Sequence, residues 1–186
     1  YDPIHRVSLG SFSAMSNVRA VAGHTNMSTV YASDGNFTVA YNASTGERGG
    51  NFGNLPGTGL LLDNAKSVLF YAGSGMGRLD IATRTGIFQS PSFTPVTVLQ
   101  TAGNVFAFMG LDTSNNLVVQ HFDRNFGAIG TLSILLLASG INANAGVGQA
   151  AFGVTSTGLP SAYVGFRSPS NNISIVRFNI NGSGLV

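Results

Sequence analysis

Four stretches of the chain repeat one pattern: an apolar strand, a polar turn, a second strand and then a glycine. The first runs from Val30-Tyr31-Ala32-Ser33-Asp34-Gly35 into Ala40-Tyr41-Asn42-Ala43-Ser44-Thr45-Gly46. The second runs from Leu69-Phe70-Tyr71-Ala72-Gly73 into Asp80-Ile81-Ala82-Thr83-Arg84-Thr85-Gly86. The third joins Val105-Phe106-Ala107-Phe108 to His121-Phe122-Asp123-Arg124-Asn125-Phe126-Gly127, and the fourth joins Ala162-Tyr163-Val164-Gly165-Phe166 to Arg177-Phe178-Asn179-Ile180-Asn181-Gly182-Ser183-Gly184. The closing glycines Gly46, Gly86, Gly127 and Gly184 are spaced by 40, 41 and 57 residues. The longer last interval is placed in the segment Ser139-Gly140-Ile141-Asn142-Ala143-Asn144-Ala145-Gly146. A period of this length, built from short strands, describes radially repeated four-stranded sheets and not a helical solenoid.

Each repeat divides into four strands, A to D. Strand A is read at Val18 to Ala22, Gly59 to Leu62, Pro95 to Leu99 and Ala150 to Val154. Asp34-Gly35 reads as the centre of a tight type I′ hairpin, which needs positive φ at both central residues. Strand D is clear in Ile87 to Ser90 and Leu132 to Leu135, weak in Asn51-Phe52-Gly53, and missing from the fourth repeat. At the other end Ile4-His5-Arg6-Val7-Ser8-Leu9 alternates but has no partner in repeat one. The expectation is therefore an all-β, four-bladed β-propeller over residues 1–186 as a single domain, with the N-terminal strand closing the last blade beside the Phe178 strand. A β-sandwich or jelly roll is the rival, since it too uses many short strands and glycine-rich turns.

The turns Tyr-Asn-Ala-Ser-Thr-Gly and Phe-Asp-Arg-Asn-Phe-Gly resemble blades of YVTN, NHL and PQQ-type β-propellers, whose third strand ends in Asp or Asn shortly before a turn. Asn42, Asp123 and Asn179 fit that pattern; Ala82 departs from it. The resemblance implies the fold and carries over no catalytic residue.

Composition narrows function mostly by exclusion. Only 9% of residues are charged while 44% are hydrophobic, so Ser, Thr, Asn and Gly must supply the polar surface. The net charge is +2, and eight of the nine basic residues are scattered arginines, Lys66 being the one lysine. No basic patch suggests nucleic acid. Cysteine is absent, which removes thiol chemistry and Cys-ligated metals. The densest apolar run, Leu132 to Leu137, is too short to span a membrane as a helix. The chain starts at Tyr1 and not at Met, which fits a removed signal peptide, a processed precursor or a trimmed chain; with the composition, the expectation is an extracellular or cell-surface protein.

No catalytic constellation emerges. The acids Asp34, Asp112 and Asp123 sit where turn chemistry explains them. His5, His24 and His121 lack metal-ligand spacing, and His121 is expected to face solvent; neither a metal nor a cofactor is expected. Gly73-Ser74-Gly75-Met76-Gly77 reads as a hairpin turn and not a phosphate cradle, because a strand follows it. Phe70, Phe106, Phe108, Phe122 and Phe178 read as inter-sheet core. Of the sequons at Asn26, Asn36, Asn42, Asn172 and Asn181, those at Asn36 and Asn172 fall in turns that could carry a glycan.

In a propeller the B–C and D–A loops share one face, which gathers Asp34, Asn36, Asp112, Asn115, Asn116, Asn171 and Asn172. The binding candidates are Asp34, Asn36, Asp112, Asn116 and Asn172. The functional expectation is a non-catalytic extracellular module for binding or assembly, such as a cell-surface adhesion domain or a surface-layer or filament subunit, which self-associates as a homo-oligomer. A lectin using the loop face on a cell-surface glycan is the second reading, although the absence of Trp weighs against it. A propeller hydrolase or lactonase is the third.

Overall fold

A computed structural model describes residues 15, 17–24, 28–53, 55, 57–63, 65, 67–101, 104–135, 147–154, 160–167, 172–181 and 184–185. They form sixteen strands and no helix. Blade 1 comprises β1 (Ala20–His24), β2 (Thr29–Ser33), β3 (Thr38–Asn42) and β4 (Arg48–Gly53). Blade 2 comprises β5 (Gly59–Asp63), β6 (Val68–Ala72), β7 (Met76–Asp80) and β8 (Gly86–Gln89). Blade 3 comprises β9 (Thr94–Gln100), β10 (Phe106–Leu111), β11 (Leu117–Phe122) and β12 (Ala128–Ile134). Blade 4 comprises β13 (Val147–Val154), β14 (Pro160–Arg167), β15 (Ile173–Asn181) and β16 (Gly184–Leu185). Every sheet is a four-stranded antiparallel meander in chain order.

The sheets stack because each middle strand is apolar on both faces. In β6 all five residues, Val68 to Ala72, are buried. Leu69 and Tyr71 point toward blade 1, where together with Leu60 and Leu62 of β5 they pack with Ala20, Ala22 and Tyr31. Val68, Phe70 and Ala72 point toward blade 3 and meet Val98, Phe106, Phe108, Val118 and Phe122. Blade 3 in turn offers Ala107, Met109, Leu117 and Val119 to Ala162, Val164, Phe166, Phe178 and Ile180 of blade 4. The five phenylalanines expected in the core are all there. Strands buried on both faces lose the simple in/out alternation of a half-exposed sheet.

The first strands line up along the inside of the stack, β1 beside β5, β5 beside β9 and β9 beside β13. Their approach is tight enough to require glycine at one point. A Cβ on Gly59 would lie 2.7 Å from the Cα of Thr97 and 2.8 Å from the carbonyl oxygen of Val96. Thr58 fastens the same junction, its Oγ1 donating to Val96 O at 3.0 Å.

Three local expectations need correction. The Asp34 turn is not type I′: Gly35 has φ +100° while Asn36 is not in the positive-φ region, which suits the first central position of a type II′ turn. Blade 4 has its own fourth strand, because Gly184 and Leu185 pair with Asn181 and Ile180. His121 is buried, 7% exposed, because it lies on the face of β11 that blade 4 covers. The segments Ile4–Leu9 and 139–146 lie outside the described residues, so the proposed closing strand does too.

Candidate functional site

The loops between the second and third strands of each blade emerge at one end of the stack. The blade 1 loop carries Asp34 and Asn36, the blade 3 loop Asp112 and Asn116, and Asn172 ends the blade 4 loop. Blade 2 places only Gly73, Ser74 and Gly75 between the first two loops, confirming that this glycine run is a hairpin turn. Asn36, Asn116 and Asn172 are exposed, and so is Phe37 beside Asn36.

The two aspartates are turned into their own loops. Asp34 Oδ1 accepts from the backbone N–H of Asn36 at 2.8 Å and of Phe37 at 2.9 Å. Asp112 Oδ1 accepts from the N–H of Ser114 and of Asn116, both at 2.8 Å, while Asn116 Nδ2 donates to Asp112 Oδ2 at 2.9 Å. These donors stabilise the ionised form. The N–H groups of Phe37 and then Asn36 hold Asp34 below its ordinary value. The side chain and then the backbone of Asn116 do the same for Asp112. Among the expected binding residues Asp34 meets Asn36 within the blade 1 loop and Asp112 meets Asn116 within the blade 3 loop, and Asn172 sits on a third blade.

The opposite end uses the same device. Asn42 Oδ1 accepts from the N–H of Ser44 at 2.8 Å and Thr45 at 3.0 Å. Asp80 Oδ1 accepts from the N–H of Thr83 at 2.8 Å, and this bond lowers its pKa. Asp123 Oδ1 accepts from the N–H of Asn125 and Gly127, both at 2.8 Å. Blade 2 therefore supplies its turn acid at Asp80, which explains the mismatch at Ala82. In blade 4 the strand runs past Asn179 to Asn181, so Asn179 is an exposed strand residue instead of a turn former.

An ion pair that sequence reasoning missed joins two blades here. Asp63 ends β5 with its side chain 4% exposed, and its Oδ2 accepts from Arg124 Nε in the blade 3 turn. Its other oxygen accepts from Ala65 N–H at 3.2 Å. The partners are 61 residues apart, and only the stacking of blades 2 and 3 brings them together.

Asp34, Asp80 and Asp112 are held as ionised acceptors by their donors, which is the opposite of a raised, proton-holding acid. His121 is likewise biased to the neutral form, since burial lowers its pKa. Among the described residues, no group of three or more His, Asp or Glu side chains converges as a metal site would require.

The depressed turn acids set a pH dependence. Their folded pKa lies below the ordinary 3.8. Their contribution is therefore complete above that value and lost as pH falls through the folded value. Thermal midpoints should begin to fall as pH drops through the ordinary histidine value of 6.5, where only the unfolded chain lets His121 take a proton, and fall further below about pH 4. Asp112→Asn should flatten the acid limb, and an unchanged limb in calorimetry would contradict this assignment.

No protein-family model and no curated protein sequence matches the chain. Solved structures do. A gluconolactonase from Xanthomonas campestris aligns over 90% of this chain and 60% of its own, at 13% identity and TM-score 0.60. TolB from Acinetobacter baumannii aligns over 90% and 42%, at 14% identity and TM-score 0.57. The WD40 domain of Toxoplasma gondii coronin aligns over 89% and 42%, at 10% identity and TM-score 0.55. With four meander sheets already stacked by their faces, this decides the architecture. The fold is a β-propeller fold. The sandwich alternative falls, because a sandwich pairs two sheets and does not stack four in chain order. At these identities the likeness concerns the fold alone, and the chain spans 42 to 60% of these three propellers.

Proposed function

We propose that this chain is a non-catalytic binding or assembly module acting outside the cell, as an adhesion domain or as a subunit of a surface layer or filament. Its blades fit the YVTN, NHL or PQQ type at the level of the turn pattern. One observation carries the reading: all six acidic side chains among the described residues have a structural partner. Asp34, Asp80, Asp112 and Asp123 hold turns, Asp63 holds Arg124, and Glu47 accepts from Thr45 Oγ1 at 3.3 Å. A hydrolytic centre would need carboxylates free to bind a metal, take a proton or attack substrate. The low charge suits close subunit contact, since little self-repulsion opposes it.

The test is turnover. The purified chain, with and without added calcium or zinc, should hydrolyse neither lactones nor simple esters above the buffer rate. Hydrolysis proportional to protein concentration would overturn the reading in favour of a propeller lactonase.

The lectin reading draws on the exposed Asn36, Asn116, Asn172 and Phe37, which offer amide groups and an aromatic face at one end of the stack. Binding on a glycan array that disappears in Asn116→Ala and Asn172→Ala would establish it; binding that survives both would remove these residues from the site. Asn36 and Asn172 are also the proposed glycan acceptors.

A further inference from the structure

At the end of the third strand in blades 1, 2 and 3 a side-chain oxygen closes the turn that follows. Asp80 and Asp123 supply it from a carboxylate, Asn42 from an amide. The backbone of the three turns is closed alike, the N–H of Asn42, Asp80 and Asp123 donating to the carbonyl of Glu47, Thr85 and Gly127 at 2.9, 2.9 and 2.8 Å. Thr45 Oγ1 accepts from Glu47 N–H as Thr83 Oγ1 accepts from Thr85 N–H. A carboxylate accepts the stronger bonds because its charge assists them, so the turn alone gives no reason to prefer an amide. What the amide adds is Nδ2. Asn42 Oδ1 takes both turn bonds, from Ser44 and Thr45 N–H, and among the described residues Nδ2 donates to no protein group.

Asn42-Ala43-Ser44 is also a sequon, the acceptor pattern for N-linked glycans. All three residues are exposed, and so are Thr45 and Glu47 beyond them. Ser44 enters the turn through its backbone N–H, which leaves its hydroxyl outside the turn. The other sequons differ. Asn36-Phe37-Thr38 ends on a threonine that is 0% exposed and whose Oγ1 donates to Leu55 O at 3.5 Å. That site therefore meets a glycosyltransferase only before Thr38 folds into β3. Asn172 leads into β15, where Ser174 is paired with Phe166. The sequons at Asn26 and Asn181 include residues outside the described ones.

We propose that Asn42 is an N-glycan attachment site whose whole acceptor pattern the folded chain presents. Nδ2 attacks the anomeric carbon of a sugar carried on a lipid diphosphate. The N–C bond forms and the anomeric C–O bond breaks; the diphosphate leaves with the electron pair, and one amide proton is passed to it through a base of the transferase. Oδ1 is not consumed, so both turn bonds survive. The glycan then extends from the end of the stack opposite the loops of Asn36, Asn116 and Asn172. This inference rests on the extracellular reading above, since the acceptor pattern is used on secreted chains.

The chain secreted from cultured eukaryotic cells behind a cleavable signal peptide tests it, beside Asn42→Asp and Ser44→Ala. Asn42→Asp gives the turn the carboxylate that Asp80 and Asp123 already use, and Ser44→Ala keeps the backbone N–H. Both should therefore fold as the wild type does by circular dichroism. Intact mass before and after glycan removal counts the glycans, and each variant should carry one fewer than the wild type. Enzymatic release in heavy-oxygen water should place the label at Asn42 of the wild type. Equal glycan counts in the three chains overturn the proposal, as does a wild type secreted without glycans. A chain bare at Asn42 that hydrolyses nothing rejects this site and leaves the binding module standing. Turnover by a chain glycosylated at Asn42 rejects the non-catalytic reading instead.

Discussion

Phe108→Ala should lower unfolding free energy by about 3–5 kcal/mol, read as a fall in the urea midpoint with unchanged slope. Phe108 is fully buried and lies at the centre of an aromatic cluster between blades 2 and 3. Its ring stands edge-on to Phe70 at 6.3 Å, to Phe122 at 5.3 Å and to Phe126 at 5.6 Å. Phe70 in turn stacks on Phe106 at 4.1 Å, and Phe122 on Phe126 at 4.5 Å. Alanine at position 108 removes the ring that the edge contacts share, and a sheet-on-sheet interface cannot collapse to fill the space without moving a whole blade. Ile134→Ala on the exposed outer strand β12 should stay within about 0.5 kcal/mol of wild type. Equal losses at the two positions would mean that the stacked interfaces do not carry the stability.

Arg124→Ala should cost about 3 kcal/mol, the low end for breaking a buried pair because Arg124 itself keeps partial solvent access. The loss arises from Asp63, whose nearly inaccessible carboxylate would keep, among the described residues, only the Ala65 N–H. The double variant Asp63→Asn/Arg124→Ala should recover part of it, since a neutral amide in the same place needs no counter-charge. Arg124→Lys should fall between, as an ammonium does not reproduce the directed Nε–H donor. A double-mutant cycle with no coupling would show that the pair does not fasten blades 2 and 3.

The fold was legible because its signals are local and repeated. Glycine-closed turns at near-constant spacing, and strands such as Val68 to Ala72, announce one sheet after another. Turn aspartates were legible for the same reason: Asp34 and Asp112 need only donors within four residues. What could not be read depends on neighbours distant in sequence. The Asp63–Arg124 pair spans 61 residues and carries no local mark. His121 looks like an outward strand residue until blade 4 covers it. Ile173 and Ile175 have the alternation of core residues, yet both are exposed. Asp34 and Asp112 lie in the loops between second and third strands and accept from the backbone of their own turns, the role that turn chemistry gives them.

A density map of the purified protein at secondary-structure resolution tests the central claim most directly. The expected result is four wedge-shaped sheets of four strands each, arrayed about one axis with their first strands innermost. Two sheets packed face to face would contradict it.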